Sequence, residues 1–411
     1  MTRLRVPRPA TLATAAATAL LLLGSVPVAT AAPTEAPLTS RLLPIPPGAL
    51  HSFTKGLNSG GTVVGEYYLE GSTGPLAIRW NVGHPGRPGL SNYARLAPLP
   101  GERFSTATAL SDAGWVAGLS YDSTPSLHPV RWTPGGTAPT RLALPDGSQG
   151  GHTSAVNDHG VTVGDTYGED SRPRPLRWQP DGRRTHLPLL PGDTSGTATA
   201  INNLGTAVGW SEQDAAADRP ARPVRWNAAG AVSALPLPTG IVGARTSRIT
   251  DNGVILGQGR PAGSTEYDHV LVWAADGTVR DAGRGRGYDV NRSATAVGAS
   301  LDDDPNGETA RWNANGTRTV LANPAEAAGE VLGVNNRGTA VGYAWPPAGN
   351  PALDKALLWK PDGTAVPLPA GPLGPYAAAF SVNDAGLIAG FAVGTDGAGN
   401  PTTWRATVWK R

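Results

Sequence analysis

A chain of 411 residues with 54 Gly, 39 Pro and no Cys is no disulfide-stapled miniprotein, and it suits many short strands and turns far better than long helices. The formal charge is +2 and no Lys/Arg-rich run stands out, which argues against nucleic acid as a partner.

The first 31 residues open on a short basic stretch with Arg3, Arg5 and Arg8. An Ala- and Leu-rich run then leads to Val28 and Ala29-Thr30-Ala31. This is the layout of a secretory signal peptide cut after Ala31. An uncleaved anchor fits less well, because the run is short and rich in Ala and Thr. No adjacent Arg pair precedes it, so ordinary export is expected, to an extracellular location. Losing three arginines and no acid takes the charge from +2 to −1. The remaining chain has no other segment apolar enough to span a bilayer, and it is ample for a large core.

Residues 32–40 read as a mobile lead-in. Arg41 to Pro46, R-L-L-P-I-P, then looks like the last strand of a unit whose first three strands do not precede it. The unit itself is clearest at Ala200 to Gly209, A-I-N-N-L-G-T-A-V-G: a strand, an Asn/Gly turn and a second strand. Pro223 to Trp226 supplies a third strand and Ser233 to Pro238, S-A-L-P-L-P, a fourth. Eight copies follow one another. Their closing glycines are Gly65, Gly118, Gly164, Gly209, Gly257, Gly298, Gly342 and Gly390. Their tryptophans are Trp80, Trp132, Trp178, Trp226, Trp273, Trp312, Trp359 and Trp409, and the spacing of 39 to 53 residues is that of four-stranded propeller blades. The turn glycine is replaced by Ala294 in the sixth copy, which predicts a looser turn there.

The chain stops after a third strand, at Trp409-Lys410-Arg411, while its N-terminal side offers a lone fourth strand. Together they complete the last unit. The expectation is therefore an all-β, eight-bladed β-propeller of four-stranded antiparallel blades over 41–411, its last blade closed by the N-terminal strand and its sheet edges thereby removed. A linear solenoid would call for polar caps instead of a split repeat. A monomer is expected.

The pattern Asn-x-x-Gly-x-x-x-Gly, an apolar residue two before Trp, then Gly and a Leu-Pro strand, resembles the bacterial extracellular HAF repeat proteins. The His-Ala-Phe triplet of that family is replaced here by Pro-Val-Arg (Pro129 to Arg131), Pro-Leu-Arg (Pro175 to Arg177) and Ala-Thr-Val (Ala406 to Val408). The resemblance implies a secreted repeat protein and assigns no activity.

Within each copy the Trp and the apolar residue two before it share a strand face and should pack between blades. Arg79, Arg131, Arg177, Arg225 and Arg311 precede Trp and are expected to pair with turn acids such as Asp112, Asp158 or Asp384. The turn asparagines Asn58, Asn157, Asn202, Asn291, Asn335 and Asn383 are explained by turn chemistry. The second-to-third connections vary, and six begin with an aromatic: Tyr67, Tyr121, Tyr167, Trp210, Tyr343 and Phe391. These rings either stack on sugar faces at a ligand site or plug the gaps between blade ends, and the second use is the more ordinary one. Asp302-Asp303-Asp304-Pro305-Asn306-Gly307 holds D-x-D-x-N-G, the opening of a calcium loop, with Asp302, Asp304 and Asn306 as ligands. Its twelfth position is Asn313 where a Glu is wanted, and a solvated acidic turn is the plainer reading. No other cofactor is suggested.

No H-E-x-x-H, no Gly-x-Ser-x-Gly and no Cys nucleophile occur. His128, His152 and His269, with acids such as Asp165, Glu169, Asp170, Glu212, Asp214, Glu266 and Asp268, sit where the variable loops gather, and two acids there could serve glycoside chemistry. The sequence thus points first to a non-catalytic binding or scaffold module recognising an extracellular glycan or protein. A polysaccharide-acting hydrolase or lyase is the alternative, and a surface protein with no small ligand a third reading.

Overall fold

The computed structural model describes residues 36–82, 92–122, 126–213, 219–304, 307–323, 328–345 and 355–411. The expected signal segment 1–31, Asp214 and Asn306 lie outside the described residues. Among the described residues every regular element is a β-strand. The 31 strands are arranged as six four-stranded sheets and one seven-stranded sheet, all antiparallel between neighbours and propeller-like in design.

The fourth repeat shows why the sequence takes this form. Its strands are Ser195–Ile201, Ala207–Glu212, Arg222–Trp226 and Val232–Ala234. The turn between the first two is closed by Gly205 N–H donating to the Asn202 carbonyl at 3.0 Å, while the Asn202 side-chain oxygen accepts from Thr206 N–H at 3.0 Å. Gly205 takes φ 77°, the left-handed region open to glycine. The closing Gly209 has a different duty. The first strand carries a β-bulge that leaves Thr199 out of register, and the Thr197 carbonyl then lies where a Cβ on Gly209 would be. The same skip recurs at Lys55, Thr108, Ser154, Ser247, Tyr288, Leu332 and Phe380.

Ala294 corrects one expectation. It adopts φ 58°, and its N–H still reaches the Asn291 carbonyl at 3.0 Å, so the sixth turn is as tight as the others and stores the strain of a Cβ in that region. The fourth strands are also shorter than the sequence suggests. Val232–Ala234 ends before Leu235-Pro236, because proline has no N–H to continue a ladder.

The core is a series of interlayers. Each of the eight tryptophans is fully buried, and in seven repeats so is the apolar residue two before it (Ile78, Val130, Leu176, Val224, Leu271, Ala310, Leu357); before Trp409 the place is taken by Thr407, equally enclosed. Seven of the indoles donate to a carbonyl of the preceding Leu-Pro segment, as from Trp226 Nε1 to Pro188 O at 2.7 Å and from Trp273 Nε1 to Pro236 O at 2.8 Å. The exception is Trp312, whose Nε1 finds no acceptor among the described residues. Between repeats 5 and 6 no Leu-Pro break occurs. Val279–Val290 runs straight from the last strand of one repeat into the first strand of the next, joining two sheets into seven strands. Gly283, left-handed at φ 103°, stands where the accepting residue would be.

At the N-terminal side Thr39–Leu42 pairs with Pro401–Lys410, Arg41 opposite Val408. Leu43 N–H continues to the Ala406 carbonyl at 2.8 Å, and the Leu43 side chain is buried against Trp80 and Val408. Trp80 Nε1 donates to Pro44 O at 2.6 Å, so this short segment is tied to the last repeat by its backbone and to the first by an indole.

Candidate functional site

Besides the tryptophan interlayers, neighbouring repeats interact through polar side chains at the two ends of the sheets. At the Asn-turn end these contacts are repetitive. Besides holding its own turn, each asparagine donates onward: Asn157 Nδ2 to Asn202 O, Asn202 to Thr250 O, Asn291 to Asn335 O, Asn335 to Asn383 O and Asn383 to Asn58 O, all at 3.0–3.2 Å. The next residue repeats the step, as where Asp158 Oδ1 accepts from Ala113 N–H and Asn203 Oδ1 from Asp158 N–H. The arginines before Trp belong to this end, but not as expected. Arg79, Arg177 and Arg311 donate to backbone carbonyls of the next repeat's turns, for instance Arg177 to Ala228 O at 2.7 Å and Asn227 O at 3.1 Å. Arg131 does the same with Gly160 and Pro180. Each guanidinium spreads its Nη hydrogens over several carbonyl dipoles, more acceptors than one carboxylate would offer. Burial pulls the pKa of all four down from the usual value. Arg225 is exposed and bonds Ser233 instead.

The opposite end, from which the second-to-third loops leave, is irregular and chemically richer. Its side chains come from two positions: the residue after each closing Gly, and its cross-strand partner twelve residues before that Gly. The partners are Phe53, Thr106, His152, Thr197, Arg245, Arg286, Glu330 and Ala378. Glu66 is nearly buried and accepts from Thr106 at 3.0 Å, from Tyr68 at 3.3 Å and from Lys55 at 3.3 Å. Burial, with the Glu66 charge next, pushes the Tyr68 phenol up to about 12, which keeps it a donor. Glu330 similarly accepts from Tyr288 at 2.9 Å and Tyr343 at 2.8 Å, and Tyr288 is pushed up to about 12 by burial and then by that carboxylate. His152 Nδ1 lies 3.0 Å from Asp165 Oδ1, a bond that raises the imidazole pKa against the opposing effect of burial. Arg245 is placed between two rings, 4.9 Å from the Trp210 centroid and 4.8 Å from that of Tyr267, with Glu212 at 3.3 Å. Phe53, Phe380 and Phe391 form an aromatic corner with centroids 5.3–5.7 Å apart.

The six aromatics singled out from the sequence do not act alike. Trp210, Tyr343 and Phe391 follow the closing Gly directly and join the groups just described. Tyr121 and Tyr167 stand two residues further along the same face, against Phe104 at 5.6 Å and His152 at 5.4 Å. Tyr67 is out of phase with these by one residue. It therefore points to the other side of the strand and is 2% exposed, packed with Ile78, Trp80 and Val82. Tyr67 is a core residue.

In the acidic loop, Asp302 Oδ1 accepts from Arg284 N–H at 3.1 Å, and Asp302 Oδ2 meets Ser300 at 3.3 Å and Arg318 at 3.1 Å. Asp303 also pairs with Arg318. A hard cation held by Asp302 would have to displace a guanidinium, so these residues fit the ion poorly. Among the described residues no group of three or more His, Asp or Glu is arranged to hold a metal.

Glu66, Tyr288, Arg245, Arg286 and Glu330 were not singled out from the sequence. For Arg245, Arg286 and Glu330 the signal is present, since each stands twelve residues before its closing Gly, whereas Glu66 follows Gly65 directly and Tyr288 is the bulge residue of its strand. That signal becomes meaningful only once the bulge shows that this position stands opposite the residue after that Gly.

Two open cavities lie away from this cluster. One of about 620 Å³ is lined by Gln179, Gly182, Arg183, Arg184, Thr185 and His186 on the third-to-fourth hairpin of repeat 3. The other, about 340 Å³, is lined by Pro191, Asp193, Gln213, Arg219, Arg222 and Val242 between repeats 4 and 5.

No family model matches the chain, and no curated protein matches it. Solved structures with a similar fold include a prolyl endopeptidase, with TM-score 0.55, 8% identity and coverage of 85% of this chain and 55% of that one. Puromycin hydrolase gives 0.50, 12%, 83% and 58%, and virginiamycin B lyase from Staphylococcus aureus 0.43, 12%, 91% and 99%. The chain spans a little over half the length of the first two. At these identities the likeness is one of fold alone, all-β and propeller-like.

Proposed function

We propose that the protein is a secreted, non-catalytic binding module: an eight-bladed propeller related to the HAF repeat proteins that recognises an extracellular glycan at the mouth of its central channel. A protein partner on the same face is the variant of this reading. The blade count is supported by splitting the seven-stranded sheet at Val279–Val290, which counts that strand twice and gives eight sets of four. Closure is supported by the pairing of Arg41 with Val408 and by the Asn383–Asn58 hydrogen bond.

The observation that carries the functional reading is the contrast between the two ends. The Asn-turn end repeats one set of hydrogen bonds. The loop end gathers half-buried aromatics among carboxylates such as Glu66, Glu212 and Glu330 that are already bonded by phenols, hydroxyls or cations, an arrangement that orients polar ligands. Glycan-array screening of the exported chain tests it, and silence towards every polysaccharide would sink the glycan assignment. One observation favours the alternative of a hydrolase or lyase: His152, Asp165 and Tyr167 lie together at this end. Release of reducing ends from a bound polysaccharide, abolished by His152→Ala, would establish that reading instead.

A further inference from the structure

We propose that Arg245 and Arg286 receive the carboxylate of a uronic acid, so that the glycan bound at this end is an acidic one. The inference rests on the binding reading above and narrows it to a ligand class.

The repeats themselves supply the comparison. At the position twelve before the closing Gly, six repeats carry Phe53, Thr106, His152, Thr197, Glu330 and Ala378, and the strand pairing is the same in all of them. An arginine is therefore not required there by the fold. Repeats 5 and 6, which are adjacent and share Val279–Val290, carry one each. Both side chains are exposed, where a guanidinium contributes little to folding.

Arg245 is unusually well prepared for a ligand. Its plane is held between Trp210 and Tyr267, which removes much of the rotamer entropy a free arginine would lose on binding. Its contact with Glu212 is a single Nη2···Oε2 approach at 3.3 Å, and the side chain remains 46% exposed. A carboxylate can thus be met by other N–H groups of the fork. A further cation, Arg248, faces Asp289 at 3.9 Å, while Arg286 hydrogen-bonds Tyr288 and stays exposed, so its fork, like that of Arg245, is only partly used. Around them stand groups suited to a sugar ring: the Tyr343–Trp345 ring pair at 5.5 Å, the Thr197 hydroxyl and the Gln258 amide, which donates to Gly287 O at 3.2 Å. The Glu330 charge beside them is already shared by two phenol hydrogens. Outward, Ala221 N–H donates to the Tyr267 hydroxyl at 2.7 Å, which ties the ring that stacks on Arg245 to the preceding repeat.

The test is equilibrium binding of the full exported chain to polygalacturonate, to the same polymer after carboxyl reduction, to dextran sulfate and to poly-glutamate. Polygalacturonate should bind, more weakly as salt rises, and the carboxyl-reduced polymer should not. Arg245→Ala and Arg286→Ala should each lower the affinity about tenfold while the chain stays folded at the assay temperature, as expected for a charge-assisted contact at an exposed site. Equal affinity for the reduced polymer, for dextran sulfate or for poly-glutamate would overturn the assignment, as would wild-type affinity in both variants. Binding of neutral glycans with none of polygalacturonate would refute this inference and leave the broader reading intact. Binding of no glycan at all would remove both.

Discussion

The missing acceptor at Trp312 allows the interlayer hydrogen bonds to be weighed against pure packing. Trp226 and Trp312 are both fully buried, follow an apolar residue two positions earlier, and pack between successive repeats. They differ in one bond, since Trp226 Nε1 donates to Pro188 O at 2.7 Å whereas Trp312 Nε1 has no acceptor among the described residues. Replacing either with Phe removes the same ring atoms, so the packing loss is nearly common to both. Trp226→Phe additionally loses a hydrogen bond worth about 1 kcal/mol, whereas Trp312→Phe relieves an unpaired N–H that costs about 1–3 kcal/mol. The second variant should therefore be less destabilised, by roughly 2–4 kcal/mol when these terms are combined. Urea unfolding followed by the remaining tryptophans measures the difference, read from the midpoints where the slopes agree. Equal losses would mean that shape alone matters in these interlayers and that the indole bonds add nothing.

Three further outcomes are expected. Leu43→Ala should cost about 3 kcal/mol, the usual figure for a fully buried leucine, and deletion of 36–44 should bare the edge of Pro401–Lys410 and promote self-association visible by sedimentation; a truncated chain that melts and sediments like the parent would disprove closure by the N-terminal strand. Gly209→Ala should destabilise more than Gly205→Ala, because the first Cβ overlaps the Thr197 carbonyl within a paired strand while the second meets only Ala228 at 3.2 Å in a conformation that Ala294 already tolerates; the opposite order in thermal melts would refute the packing role of the closing glycine. The pairing with Asp165 raises the His152 pKa, so its stabilisation is complete below the unfolded value of about 6.5 and is lost as pH rises through the folded value. Asp165→Asn should accordingly narrow the stability gap between pH 5.5 and pH 8, and an unchanged gap would deny the pair any role.

The repeat was legible because its markers do the same physical work eight times. Glycine at the closing position is dictated by a carbonyl of the neighbouring strand, and tryptophan by the space between sheets. The lone Arg41 to Pro46 segment was legible for the same reason, since Leu43 and Pro44 occupy the places that Leu235 and Pro236 hold in an intact repeat. What escaped was whatever depended on register. The bulge moves every first-strand residue by one, so nothing in the sequence alone places Glu330 against Tyr288 or Arg245 against Trp210. The same ambiguity put Tyr67 among the surface aromatics, although one residue separates it from their face. The arginines before Trp escaped for another reason: backbone carbonyls are as attractive to a guanidinium as carboxylates are, and sequence shows only the carboxylates.

The two ends of the sheets also divide the work of the protein. An asparagine at a turn holds its own loop and the next one through separate atoms, so Asn202→Ala would leave unpaired groups in two repeats at once. Twelve residues before the closing glycine the side chain ranges from Ala378 to Arg286 with the same cross-strand pairing throughout. Repetition at one end supplies the rigidity, and that rigidity is what permits variety at the other. A cluster such as Trp210, Arg245 and Tyr267, drawn from two repeats, can hold its geometry only because the turns at the far end fix the two sheets against each other.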